Sequence, residues 1–79
     1  MKTIDARGLS CPQPAFLTKE ALAEAKAGEV EVLVDCETSR DNVARCARNA
    51  GWSAAAEDLP GGGFRLVLKK GRDIINQTL

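Results

Sequence analysis

A chain of 79 residues with 44% apolar side chains is one domain with a light core, because at this size only about 60% of the unfolded surface is buried. Such a core leaves little room for a large internal cofactor pocket. Eleven basic and eleven acidic side chains cancel, which removes the electrostatic case for bulk nucleic-acid or membrane-surface binding.

Met1-Lys2-Thr3-Ile4-Asp5 enters a short charged strand pattern over Lys2 to Asp5. It lacks the apolar run of a signal peptide, and no stretch approaches the ~20 apolar residues of a membrane-spanning helix. A cytoplasmic location is therefore expected. Arg7-Gly8-Leu9-Ser10 reads as a loop. A first helix is expected from Pro12 to Ala27, ended by Gly28. Its apolar face runs through Pro14, Leu17, Thr18, Ala21, Leu22 and Ala25, all at helical spacing.

Val30, Val32 and Val34 alternate with polar residues in a second strand, Glu29 to Val34. Thr38 is the expected cap of the next helix, with Asp41 three residues on. Val43, Cys46, Ala47 and Ala50 form its apolar stripe, and Gly51 stops it. Trp52 to Leu59 is a soft, alanine-rich third strand. Pro60 to Gly63 is a turn, and Phe64, Leu66 and Leu68 alternate in a fourth strand. The order βαβαββ, with one apolar face on each helix, points to an α+β fold. Its economical form is a two-layer α/β sandwich with two helices on one face of a four-stranded mixed sheet. The domain spans residues 1–70, and 71–79 form a tail with weak signals.

Three cysteines stand at 11, 36 and 46, with no histidine and no Cys-x-x-Cys. That composition argues against a zinc site or a two-cysteine redox motif, and no metal or cofactor is expected. In the cytosol all three are thiols. Cys11-Pro12-Gln13-Pro14 carries the chemistry. Proline suits the first helical position, so Cys11 becomes the N-cap. There the positive end of the helix dipole favours a thiolate. Pro12 and Pro14 have no N–H to donate, which leaves Gln13 and Ala15 as the nearest backbone donors and moderates the activation. No base or partner cysteine stands beside Cys11, an arrangement suited to exchange with an already activated sulfur such as a persulfide. The competing reading makes Cys11 an inert small cap.

Cys46, on the apolar stripe, reads as core. Cys36 follows the second strand in phase with Val34, tending inward, and is the candidate second thiol. Arg7, Arg40 and Arg45, with Arg48, are candidate docking residues for an acidic partner, against the plainer reading of a solvated helix face. Phe16 lies off the apolar stripe one turn after Cys11, as a core flank or an exposed contact.

Asp5-Ala6-Arg7-Gly8-Leu9-Ser10-Cys11-Pro12-Gln13-Pro14 resembles the signature of the TusA/SirA-like family, a Cys-Pro-x-Pro motif preceded by Asp and Gly. The stretch Glu29 to Gly51 resembles the N-terminal domain of YedF-type members, linked to sulfur or selenium metabolism. The resemblance implies a two-layer sandwich and a persulfide on Cys11. Sulfur would be taken from a donor protein, a cysteine desulfurase or similar, and relayed to an acceptor protein. Members serving tRNA thiolation carry a proline after the second strand, where this chain has Asp35-Cys36-Glu37-Thr38. The alternative function is a non-catalytic interaction or regulatory domain. Direct nucleic-acid binding is not expected, since basic residues are neither in excess nor interleaved with aromatics.

Overall fold

The computed structural model describes residues 2–9 and 13–71. It contains β1 (Lys2–Asp5), α1 (Gln13–Ala25), β2 (Gly28–Val34), α2 (Glu37–Asn49), β3 (Ser53–Asp58) and β4 (Phe64–Lys70). This is the expected βαβαββ order. β1 and β2 are parallel, and β4 runs antiparallel to both β2 and β3. The sheet order is β1-β2-β4-β3, so the last strand lies between the second and third. Most of the expected 71–79 tail, residues 72–79, lies outside the described residues.

Alternation in the strands translates directly into the core. Val30, Val32 and Val34 of β2 and Leu66 and Leu68 of β4 are fully buried. The register pairs Val30 with Leu68 and Val32 with Leu66, so their side chains share the helix-covered face. Leu22 of α1, with Val43, Ala44 and Ala47 of α2, closes the core from above, and Trp52 fills the end beside β3. Each fully buried Val or Leu contributes about 1.5–3 kcal/mol relative to exposure. The other sheet face is polar. Thr3 Oγ1 donates to Glu31 Oε1 at 2.9 Å, and Arg65 joins Glu31 to Glu57. Arg65 first, then Thr3, holds the Glu31 carboxyl below its ordinary value.

Several boundaries differ from the sequence expectations. α1 ends at Ala25, two residues before the expected stop. Lys26 takes a left-handed conformation, φ 63°, while its N–H bonds to the Leu22 carbonyl at 3.0 Å. Gly28 is not the helix stop; it opens β2. Along α1 the buried residues are Pro14, Thr18, Ala21 and Leu22, whereas Leu17 and Ala25 fall outside the covered stripe. Thr18 meets its hydroxyl requirement inside the helix, donating to the Pro14 carbonyl at 2.8 Å. Trp52 precedes β3 rather than starting it, donating its N–H to the Ala47 carbonyl at 2.9 Å. The β3–β4 turn closes on Gly63, φ +90°, packed so tightly that a Cβ there would lie 2.7 Å from the Val34 carbonyl oxygen.

Candidate functional site

Because β1 and β2 are parallel, the loops leaving their C-terminal ends meet at one edge of the sheet. The Ala6 N–H extends the ladder by donating to the Leu33 carbonyl at 2.8 Å. Beyond it, the β1–α1 loop is held by two carboxylates. Asp5 accepts the Arg7 backbone N–H at 3.2 Å and the Arg7 guanidinium at 2.9 and 2.8 Å. Asp35, just past β2, accepts the Gly8 N–H at 2.7 Å. The Arg7 guanidinium, then its backbone N–H, brings the Asp5 carboxyl down to about 2. Gly8 sits at φ +82°, a conformation costly for any residue with a Cβ. Leu9 packs partly buried against the core.

The chain resumes at Gln13, the exposed first residue of α1, followed by buried Pro14. Cys11 and Pro12 lie outside the described residues, and with them the expected N-cap position of Cys11.

Cys36 does not tend inward; it is exposed. β2 ends at Val34, so the alternation stops before reaching it. Cys36, not Thr38, is the N-cap of α2, extended at φ −148° and ψ 162°. Its Sγ donates to Ser39 Oγ at 3.3 Å, and no hydrogen bond from the thiol caps the helix. The Ser39 hydroxyl leads, followed by the backbone N–H groups of Ser39 and Thr38, in drawing the thiol pKa down; the Asp35 charge acts against them. Thr38 stands inside the first turn, and Asp41 accepts from Arg40 at 3.0 Å instead of completing a capping box.

Cys46 is half-buried rather than core. Its Sγ donates to the Ala15 carbonyl at 3.6 Å in the groove between α1 and α2, and burial pushes its pKa up. The core positions of α2 are Val43, Ala44 and Ala47, with Ser39 at the first turn.

The candidate docking arginines divide. Arg40, Arg45 and Arg48 border one groove of α2 that reaches Ala56 of β3. Arg40 also lies over the Phe64 ring, 4.7 Å from its centroid. Arg7 stands apart from that groove, beyond β1 and engaged by Asp5. Phe16 is 62% exposed, which decides in favour of a surface contact; it flanks a shallow depression with Leu9, Gln13 and Leu17. Three contributors escaped the sequence reading: Asp35 as acceptor for Gly8, Ser39 as partner of Cys36, and Phe64 beneath Arg40. Only Ser39 had a usable signal, its place three residues after a cysteine at a helix start.

The family model described as Sulfurtransferase TusA matches residues 2–70. A protein named as a sulfur carrier in Methanocaldococcus jannaschii is 38% identical over 71 residues, covering 89% of this chain and 95% of that protein. YedF of Escherichia coli, also named as a sulfur carrier, is 37% identical over 68 residues, covering 85% of this chain and 88% of YedF. The crystal structure of a SirA-like protein from Desulfitobacterium hafniense superimposes with a TM-score of 0.85 at 36% identity. It covers 91% of this chain and all of that one.

Proposed function

The chain belongs to the TusA sulfur-carrier family, and from that premise we propose that it holds a persulfide on Cys11 and relays it between two proteins. What supports this reading is the sequence Cys11-Pro12-Gln13-Pro14, whose Gln13 and Pro14 are the first described residues of α1; a cysteine at a helix start is favoured as thiolate.

In the proposed step the Cys11 thiolate attacks the terminal sulfur of a donor persulfide. The donor S–S bond breaks, the donor cysteine leaves as thiolate, and Cys11 keeps the sulfur as a persulfide. No oxidant is consumed. A cysteine desulfurase is the donor class that makes such a persulfide, and an acceptor protein thiolate takes the sulfur by the same exchange. Pro12 and Pro14 stiffen the base from which Cys11 is presented, and Gln13 supplies a backbone donor. Cys36, the exposed N-cap of α2, is the proposed second thiol, one that would attack a Cys11 persulfide, release sulfide and leave a disulfide behind. Arg7, Arg40 and Arg45 are the candidate contacts for an acidic partner surface, Arg7 also pairing with Asp5 and Arg40 with Asp41.

Intact-mass measurement after incubation with a cysteine desulfurase and cysteine tests this. The chain gains about 32 Da, Cys36→Ser gains it too, and Cys11→Ser does not. A folded Cys11→Ser protein that still gains one sulfur overturns the assignment. The exposed ring of Phe16 favours a second reading, a docking domain without sulfur transfer; partner binding unaffected by Cys11→Ser, with no mass gain in the unmodified chain, would select it.

A further inference from the structure

We infer that Asp35 is a positioning residue for the loop that carries Cys11, latching that loop through Gly8 to the head of α2. The inference rests on the proposed role of Cys11. Asp35 and Gly8 are 27 residues apart in sequence, yet the Gly8 N–H meets Asp35 Oδ2 at 2.7 Å. Gly8 lies three positions before Cys11 in the chain. Its φ of +82° sets the amide direction that this bond needs, a conformation open to glycine without penalty.

The neighbouring residue is held separately, the Arg7 guanidinium bonding Asp5 at 2.9 and 2.8 Å. Leu9 packs against the core on one side and Pro14 is buried on the other. Only Ser10 to Gln13 lie between them in sequence. A residue that fixes Gly8 therefore restrains the entry to the Cys11 segment. Restraint of this kind speeds a two-protein exchange by reducing the orientational freedom lost at encounter.

Asp35 has a second effect through its charge. It adjoins Cys36 and disfavours that thiolate, and it also attracts Arg7. Hydrogen bond and charge are separable by substitution. Asn keeps an oxygen able to accept from Gly8 but removes the charge; Ala removes both.

The experiment compares the unmodified chain with Asp35→Asn and Asp35→Ala, using a cysteine desulfurase and cysteine as the sulfur source. Sulfur gain on Cys11 is timed by mass spectrometry, and alkylation of Cys11 and Cys36 is mapped across pH. Asp35→Ala slows sulfur gain on Cys11 by roughly three- to tenfold, the effect of one lost hydrogen bond. Asp35→Asn restores most of that rate. Both variants move the Cys36 alkylation profile to lower pH, because the like charge is gone. The Gly8 amide exchanges faster with solvent in Asp35→Ala and keeps its protection in Asp35→Asn. Sulfur gain in Asp35→Ala at the unmodified rate, or Asp35→Asn as slow as Asp35→Ala, overturns the positioning role. If the unmodified chain gains no sulfur, the carrier reading fails on its own, and the Cys11 alkylation rates with Gly8 exchange still decide the latch.

Discussion

The Sγ of Cys36 lies 3.3 Å from the Oγ of Ser39, joining an exposed thiol to a hydroxyl that is almost fully buried. The hydroxyl is immobilised by its burial, so it supports the thiolate without the entropy cost of ordering a surface side chain. Ser39→Ala removes the leading cause of the lowered Cys36 pKa. The folded pKa then rises, and the thiolate fraction at neutral pH falls. Alkylation of Cys36 followed against pH shifts to higher pH in the variant; an unchanged profile would show that the hydroxyl does not support the thiolate.

Cys36 and Cys46 are pushed in opposite directions, down by hydrogen bonding and up by burial. A limiting amount of alkylating agent at neutral pH labels Cys36 well ahead of Cys46. Cys46→Ser is mild. A fully buried thiol exchanged for an unpaired hydroxyl costs about 1–3 kcal/mol, but the Cys46 side chain is half-exposed and faces the Ala15 carbonyl. The expected loss is below about 1 kcal/mol, measured by urea unfolding. A loss at the upper end of the buried range would place Cys46 in the core after all.

Gly63→Ala destabilises more than Gly61→Ala. Both glycines have positive φ, +90° and +86°, so each substitution pays the left-handed penalty of about 1–2 kcal/mol. A Cβ at Gly61 meets nothing within 4 Å, whereas one at Gly63 meets the Val34 carbonyl oxygen at 2.7 Å. That backbone belongs to the central β2–β4 pairing and cannot yield locally. Equal unfolding midpoints for the two variants would contradict the close approach.

Asp5 stabilises the fold only while it is ionised. Its pKa falls from an ordinary 3.8 to about 2 in the folded chain. The contribution is therefore fully present above about pH 4 and is lost as pH falls toward 2. The pair is exposed, so high salt weakens it. Unfolding midpoints of the unmodified chain and Asp5→Asn, taken from pH 6 to pH 2 at low salt, converge across that window. A gap that stays constant with pH would assign the effect of Asp5 to something other than its charge.

Strand content is legible because period-two alternation records burial directly: it marks Val30, Val32, Val34, Phe64, Leu66 and Leu68 as inward, and all are buried except Phe64, which is partly buried at the start of β4. The helix termini were less legible. Lys26, not a glycine, takes the left-handed position after α1, and lysine carries no local signal for that conformation. Extending the β2 alternation past Val34 predicts an inward Cys36, but the strand ends there and the chain turns into a helix. The pairing of Asp35 with Gly8 depends on two parallel strands delivering their loops to one edge, a relation that local patterns do not encode. Arg7, Arg40 and Arg45 looked equivalent as charges; their acidic and aromatic neighbours, Asp5, Asp41 and Phe64, distinguish them.

The order β1-β2-β4-β3 also governs how the chain is made. During synthesis β1, α1, β2 and α2 emerge first, and the inner edge of β2 then has no partner. β3 emerges before the strand that joins it to β2. Val30 and Val32 stay open to water on that side until Leu66 and Leu68 arrive to pair with them. The sheet is thus sealed by insertion of β4, a non-local closure that makes folding slow relative to a helical chain of equal length. Until β4 is in place, the β2 edge is unsealed and aggregation-prone, so the hazard in this fold is concentrated in the interval before that strand inserts.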